Sequence, residues 1–385
     1  MEQERMRRDR WFSLLILLLC VLMYAWPGQG PAEDNHWRGK AVVLAVDNSD
    51  VHQRGVVQTG VQVVELEVKE GPLKGQRTTT TNPLIGKLEM DKIFRPGDAA
   101  LAVVQAEENR IVTASVVDHY RLEAEAGLFG VFALALLWYA RWTGLKALLS
   151  FVFTVLLLWK VLWPLFLQGW NPIPLALLVV CAIVGCVVFL VTGLSRTGLA
   201  AFLGTVAAAL AVCLLAIGFG SLFKIHGAVA PFSETLLHVG FSQLDLTGIF
   251  LAGIFLASTG AMMDVAVDIA AAVAELVGQK PSITREEAIG AGMNIGRAVV
   301  GTMTTTLLLA YSGAFTALMM VFLAQGTPVI NILNLSYIAA ELLHTMVGSC
   351  GVVLVAPFTA VLSGYLLVKK EKPDAVQELA DTAAK

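Results

Sequence analysis

From Gly127 to Val368 the chain is a succession of long apolar segments, and this feature restricts its fold more than any other. Crossing a bilayer takes about 20 consecutive apolar residues, and a helix satisfies its own backbone polar groups in hydrocarbon. The chain is 56% hydrophobic and only 15% charged, unlike a typical soluble domain. We therefore predict a mainly α, polytopic transmembrane helix bundle whose first partner is the lipid bilayer. The predicted spans, about eight, are residues 11–26, 128–141, 145–165, 173–193, 199–219, 246–276, 297–322 and 336–368.

Residues 27–126 form a polar segment of a different character. Apolar and polar residues alternate over residues 41–46, 61–68, 99–104 and 110–117, which predicts strands separated by Gly/Pro/Asp turns. This pattern is typical of a small β-barrel-like domain of the SH3 or OB type. The strands lack an aromatic stacking platform, so the fold alone predicts no ligand, and a structural or docking role is the simpler hypothesis.

Basic residues predict the orientation of the chain in the membrane. Four arginines, the last of them Arg10, precede the first apolar run, and further cations fall in alternate loops. The positive-inside rule then places both termini in the cytoplasm and residues 27–126 outside. A cleaved signal peptide is the alternative, but no Ala-x-Ala site follows Trp26, which favours a retained anchor. The predicted domains are residues 1–26 (cytoplasmic N-terminus and anchor), 27–126 (β-domain), 127–368 (bundle) and 369–385 (cytoplasmic tail).

Several function classes lack support in the sequence. The net charge of −3 and the absence of a basic stripe argue against nucleic acid, and no Gly-x-x-x-x-Gly-Lys-Ser/Thr loop predicts nucleotide binding. His226 and His238 lack metal-ligand spacing, so we expect no metal and no cofactor. Gly348-Ser349-Cys350-Gly351 departs from an intramembrane serine protease motif, and no convincing nucleophile and base pair is present. We expect that the chain is not an enzyme and has no catalytic residues.

Two carboxylates, Asp264 and Asp268, lie inside an apolar segment. A carboxylate at bilayer depth costs about 2.5–3.5 kcal/mol on insertion scales, so such residues usually mark ion or proton pathways. Residues four apart share one face of a helix, and Glu275 continues that face. Arg297, at the start of the next span, is placed to meet one of these acids. The loop between them offers Ser282 as the N-cap of the following helix.

Glu341 and His344 are three residues apart on the last span and predict a second titratable pair. They are also half of a carboxylate-bridged metal motif, whose second half is absent. We assign supporting polar roles to Asn294, Thr304, Thr305 and Ser349. Threonines in helices also bond their own backbone, which is the alternative for Thr304 and Thr305.

The motifs of the later spans resemble a known family. They are Met263-Asp264-Val-Ala, Gly292-Met-Asn-Ile-Gly-Arg297, Gly301-Thr-Met-Thr304, Leu309-Ala-Tyr-Ser-Gly313, Ala340-Glu341, and Val347-Gly-Ser349 with Pro357. From the β-segment to Val368 the chain is thereby similar to the YibE/F family of bacterial multi-pass membrane proteins, which has no established substrate. Thr305 stands where we expect an Asn in this family, and His344 where an Arg is usual. The resemblance implies a multi-pass protein of the bacterial plasma membrane.

A weaker likeness extends to SecD/SecF and other RND-type permeases. It rests on Gly260 and Asp264, a polar loop, Ala288-Ile-x-Ala-Gly292, Arg297, and Thr305-Thr306-Leu307. In that superfamily the matching Asp belongs to a proton-conducting relay, so the likeness implies this role for Asp264. The outer domain here is much smaller than a porter domain, which argues against drug efflux of that kind.

These observations predict a membrane transport protein, an ion (proton)-coupled permease or exporter component. Asp264 is expected to take and release the proton, with Asp268 and Arg297 tuning it and Glu341 and His344 lining the opposite wall. A homo-oligomer or a second membrane subunit is the expected protein partner. The alternative is a non-transporting scaffold or accessory subunit of a larger envelope complex, in which buried charges only fix helix register.

Overall fold

The computed structural model describes residues 2–26, 36–107 and 110–368. The predicted tail, residues 369–385, lies outside the described residues, as do residues 27–35 at the start of the predicted β-domain. The chain divides into two compact units, residues 28–139 and residues 1–27 with 140–385.

The first unit contains an antiparallel sheet in which the strand order is β3-β2-β1-β4-β5. Alternate residues of β2 are buried, as the period-two pattern predicts, and they pack with Phe94 and Leu73 into one apolar core. The two edge strands approach each other, and the Thr80 hydroxyl on β3 donates to the Ala114 carbonyl on β5 at 2.6 Å. The sheet is therefore nearly closed, as predicted. The strands are β1 (His36–Arg54), β2 (Val57–Val68), β3 (Arg77–Ile85), β4 (Ala99–Glu107) and β5 (Arg110–His119).

A fully buried amide, that of Gln62, fixes the long connection between β3 and β4. Its nitrogen donates to the Phe94 carbonyl at 3.0 Å, and its oxygen accepts the Phe94 N–H at 3.0 Å. Asn82 donates to the same oxygen at 3.3 Å and to the Lys92 carbonyl at 2.6 Å. Buried polar groups need such partners, so this network anchors the loop and its aromatic residue in the core.

The rest of the described chain is helical. Its helices are α1 (Glu2–Ala25), α2 (Leu122–Leu157), α3 (Trp163–Leu167), α4 (Pro172–Thr192), α5 (Arg196–Leu222), α6 (Ser233–His238), α7 (Leu246–Gln279), α8 (Arg285–Ala314), α9 (Thr316–Ala324), α10 (Val329–Asn334) and α11 (Ser336–Leu367). A π-helical turn, Leu158–Leu162, joins α2 to α3, and a 3₁₀ turn, Gly227–Val229, precedes α6.

Five helical stretches of the described chain are long and apolar enough to cross a membrane, so a membrane protein is confirmed. They are Leu122–Leu167, Pro172–Thr192, Arg196–Leu222, Leu246–Gln279 and Ser336–Leu367. A sixth results if α8 and α9, bent by 66°, count as one span. The predicted count of eight is not confirmed, and α1 is not among these stretches. Residues 128–141 and 145–165 fall in one helical stretch, because only a non-helical Arg141 (φ 48°, ψ −118°) separates them.

The helix starts follow ordinary capping chemistry. Asn171, Ser195 and Asp245 accept backbone N–H groups at the starts of α4, α5 and α7. At α8 the N-cap is Thr284 rather than the predicted Ser282, which makes that prediction wrong. The reason is a capping box: Thr284 accepts the Glu287 N–H at 3.2 Å, and the Glu287 carboxylate accepts the Thr284 N–H at 3.0 Å.

Helix α11 lies at the centre of the bundle and touches its neighbours through small residues. A Cβ added at Gly204 of α5 would lie 3.0 Å from the Cα of Thr359, and one at Gly296 of α8 would lie 2.8 Å from the Ala356 Cβ. Such distances leave no room for a side chain, so the backbones themselves are in contact. Small residues allow this approach, which supplies most of the packing between helices in lipid.

We predict that Gly204→Ala destabilises the bundle while Gly218→Ala on the same helix does not. Alanine favours a helix by about 1 kcal/mol over glycine at either position. At Gly204 the added Cβ meets backbone, an overpacking that costs about 1–3 kcal/mol, whereas nothing lies within 4 Å at Gly218. The measurement is the thermal unfolding midpoint in detergent. Equal midpoints for both variants would contradict this contact.

Candidate functional site

The predicted acids lie on one face of α7, and this face points away from the bundle core. Asp264, Asp268 and Glu275 are exposed in the chain. The opposite face is buried and includes Met262 and Ile269. We call the exposed surface the acidic face of α7; it comprises Gly260, Asp264, Asp268, Ala271 and Glu275.

The acids of the membrane segment have no cationic partner among the described residues. In the part of the chain that the structure describes, no Lys, Arg or His nitrogen lies within 4.0 Å of a carboxylate oxygen of Asp264 or Asp268. Glu275, nearer the end of the helix, accepts a hydrogen bond from the Gln279 amide at 3.2 Å. A Cβ added at Gly260 would contact nothing within 4 Å, so the space beside the acids is open.

Arg297 does not pair with the acids, contrary to the prediction. Its Nη1 donates to the Asn294 Oδ1 at 3.0 Å, within the first half of α8. The helices pack where a Cβ at Gly296 would lie 3.3 Å from the Ile269 Cδ1.

The helical phase explains the missing pair. Helices α7 and α8 run antiparallel at their contact, since Gly292 faces Val273 one turn from the Gly296 and Ile269 contact. On antiparallel helices, the residue before one contact position and the residue after the other project to opposite sides. Asp268, just before Ile269, and Arg297, just after Gly296, occupy these two positions. Their side chains therefore project to opposite sides of the contact, and no change of rotamer brings them together.

The hydroxyls predicted to support the relay bond to their own helix. Thr304 donates to the Val300 carbonyl at 2.9 Å, and Thr305 to the Gly301 carbonyl at 3.2 Å. Bonding to the backbone of their own helix is the alternative stated above for Thr304 and Thr305, and it requires no ligand. Ser349 is partly buried on α11.

A second cluster surrounds His344 and includes residues that the sequence did not single out. The His344 ring lies against Tyr311 of α8, with ring centroids 4.5 Å apart and an interplanar angle of 39°. A Cβ added at Gly348 would lie 3.3 Å from the Ser258 Cβ and 3.8 Å from the Tyr311 hydroxyl. We call Ser258, Tyr311, His344 and Gly348 the histidine cluster. The lone Tyr within an apolar run was the available signal for Tyr311.

The polar atoms of this cluster are only partly satisfied. The His344 Nε2 is buried and has no hydrogen-bond partner among the described residues. Ser258, fully buried, donates back to the Ile254 carbonyl at 3.0 Å. Glu341, partly buried, precedes His344 by one turn. Buried unpaired nitrogens are rare, which makes His344 the residue here with unused hydrogen-bonding capacity.

The acids and the histidine cluster lie at different levels of the bundle. Helices α7 and α11 are in contact where Ser258 faces Gly348. On α11, His344 lies one turn before this contact. On α7, Asp264 lies six residues beyond it in the same direction. The two are separated by about ten residues of helix, or about 15 Å. They also face different sides of α7, so the structure does not bring all the predicted relay residues together.

No group of three or more His, Cys, Asp or Glu side chains within the described ranges could hold a metal ion. Glu341 and His344 alone would offer two ligands, fewer than a structural or catalytic zinc site uses.

Comparison with known proteins gives one match. The family model described as YibE/F-like protein matches residues 128–369, which is most of the helical part and leaves out the strands. No curated protein matches the chain, and no solved structure does. The weaker likeness to SecD/SecF and RND permeases stays a prediction from the sequence.

We predict that Arg297 and Asp268 contribute independently to stability. Arg297→Gln and Asp268→Asn should change the free energy of unfolding additively, within about 0.5 kcal/mol, because the side chains face opposite sides. The pair Arg297→Gln and Asn294→Ala serves as the coupled control, since these side chains share a hydrogen bond. The measurement is a double-mutant cycle on the purified protein. Strong coupling between Arg297 and Asp268 would contradict the packing.

Proposed function

The chain belongs to the YibE/F-like family, and we propose that it works in the bacterial plasma membrane as a proton-coupled subunit of a permease or exporter. Family membership specifies no activity. The observation that supports the proposal is the acidic face of α7, where two unpaired carboxylates lie within a membrane-spanning helix.

Unpaired carboxylates distinguish a relay from a scaffold. A scaffold that uses buried charge to fix helix register needs each charge paired, since a stranded one costs about 3–5 kcal/mol. Asp264 and Asp268 have no such pair in the described chain. Acids of this kind face water-filled paths or bind protons. Two like charges one turn apart on a helix also repel each other.

The acidic face points out of the bundle, so the proposal includes a second protein surface that covers it. In a single chain this face would meet lipid, an unfavourable environment for a carboxylate. Gly260, one turn before Asp264, leaves open space, and small residues let another helix approach closely. We therefore include in the proposal a second copy of the chain, or a second membrane subunit, that covers this face and completes a polar path.

The roles within the proposal follow from position. Asp264 takes and releases the proton, and Asp268, on the same face, modulates it. Glu341 and His344 act at another level, so a proton passing between the two sites requires water, because about 15 Å is far beyond hydrogen-bond reach. Arg297 acts from the other side of α8 and is not a direct partner of either acid.

One observation favours the scaffold function. The threonines of α8 satisfy their hydroxyls on their own helix, which leaves them without a free donor for a pathway. A scaffold would nevertheless leave the acids of α7 with no role, and their cost would be uncompensated.

We predict that Asp264→Asn abolishes proton movement while leaving the fold intact. In proteoliposomes holding an entrapped pH-sensitive dye, the wild-type protein should dissipate an imposed pH gradient. The Asp264→Asn variant should be slower by roughly tenfold or more, in line with the loss of an essential acid–base group. Asp268→Asn should retain flux with a changed pH dependence, and Glu275→Gln is the control on the same face. Unchanged flux in Asp264→Asn would rule out the relay.

A second measurement avoids the need for a cargo. A hydrophobic carbodiimide reacts with protonated carboxyls within membranes, so it should label Asp264 in the wild-type protein. Labelling should fall as pH rises, and mass spectrometry should locate the adduct on α7. Labelling that is absent, or that is unchanged in Asp264→Asn, would contradict a protonated acid at this position.

The proposed orientation has its own prediction. In a variant whose five native cysteines are replaced, a cysteine at Asn48 should react with an impermeant maleimide in intact cells. One at Ser282 should react only after permeabilisation, because the positive-inside rule places that loop in the cytoplasm. The reverse labelling would overturn the orientation of both loops.

A further inference from the structure

A cleft lies between α1 and the part of α2 that follows Arg141. Its volume is about 330 Å³, within the range of small-molecule sites. One wall carries Arg10, Leu14 and Leu17 of α1, and the other carries Trp142, Lys146 and Leu149 of α2. We call this the α1–α2 cleft. It contains none of the residues of the proposed relay.

The wall of the cleft is almost entirely apolar, and its two cationic residues lie toward one end. Each wall is a single helix face, since its residues follow the i, i+4, i+7 spacing. The two helices run in the same direction, because further along Lys160 donates to the Trp26 carbonyl at 3.1 Å. Arg10 and Lys146 therefore lie toward the same end, where α1 begins, and Leu17 and Leu149 lie toward the other.

The two cations have no acidic partner among the described residues. The nearest acid in sequence is Asp9, whose Oδ1 is buried without a hydrogen bond. That carboxylate points elsewhere: a Cβ added at Gly193, at the end of α4, would lie 3.0 Å from its Oδ1. Arg7 and Arg8 are exposed and add positive charge at the same end of α1. The cationic end of the cleft is therefore not neutralised from within the described chain.

We propose that the α1–α2 cleft binds one anionic phospholipid. The phosphate lies between the Arg10 guanidinium and the Lys146 ammonium, and an acyl chain follows the leucines toward the other end. Trp142, one turn before Lys146 on the same wall, lies at the cationic end, at the level that Trp prefers at a membrane interface.

The combination of features selects this ligand class. Free phosphate would use the cations and leave the leucines uncovered, and a neutral lipid would leave the cations unpaired. Basic pockets between membrane helices bind anionic headgroups, and an Arg contact to phosphate is a strong charge-assisted hydrogen bond. An anionic phospholipid satisfies both ends of the cleft at once.

The test measures lipid binding to the purified full-length protein by native mass spectrometry and by thermal unfolding in detergent. The probes are phosphatidylglycerol, phosphatidylcholine and inorganic phosphate. We expect phosphatidylglycerol to bind and to raise the unfolding midpoint more than phosphatidylcholine does. Each cation near an anionic lipid contributes about fivefold in affinity, so Arg10→Gln with Lys146→Gln should weaken binding by roughly thirtyfold.

A matched control removes the same charge from outside the cleft. Arg7→Gln with Arg8→Gln has the same net charge and should keep phosphatidylglycerol binding within about threefold of the wild type. A second variant, Leu17→Trp, fills the apolar end and leaves both cations, and it should also lose the lipid. Unfolding midpoints in detergent alone show that each variant is folded.

Three outcomes would overturn the proposal. Equal loss in both arginine-containing double variants would assign binding to general surface charge. Equal binding of phosphatidylcholine would show that the cations do not take part. A midpoint shift reproduced by inorganic phosphate alone, and kept in Leu17→Trp, would identify a free-phosphate site instead of a lipid site.

Discussion

Close backbone contact around α11 is the interaction on which the rest of the helical unit depends. Lipid removes the hydrophobic driving force between helices, so their association relies on packing distance. Gly204 against Thr359, Gly296 against Ala356, and the fully buried Met262 at Gly351 are such contacts. They fill the centre largely with small and apolar groups. The carboxylates Asp264 and Asp268 lie on the outer face of α7, whereas Ser258 and the His344 Nε2 are buried.

The position of the acids follows from this packing. The core of the bundle uses the face of α7 that carries Met262 and Ile269, and a residue on the opposite face cannot share it. Asp264 and Asp268 are on that opposite face. In the proposed function, a relay built on them is completed by another subunit. This makes assembly part of the proposed mechanism and not an addition to it.

Residue patterns within one helix or strand predicted local structure well, but they did not predict the contacts between helices. The i, i+4 spacing placed Asp264 and Asp268 on one face, and alternation predicted four of the five described strands but missed β3. The pairing of Arg297 failed because it depends on which residue of α8 faces Ile269, a phase that no spacing within one helix encodes. The count of eight spans is not confirmed, although the predicted boundary after residue 141 coincides with the non-helical Arg141. Tyr311 was missed because its ring partner is on another helix.

The two titratable regions differ in the freedom that packing leaves them. Asp264 lies beside open space, so its charge can change without repacking the bundle. His344 is held against Tyr311 between α8 and α11, and its buried Nε2 has no partner in the described chain. A proton on that nitrogen would need a new acceptor, which only a water molecule or a shift of α8 against α11 could supply. A change of charge on the acidic face therefore disturbs the packing less than one in the histidine cluster.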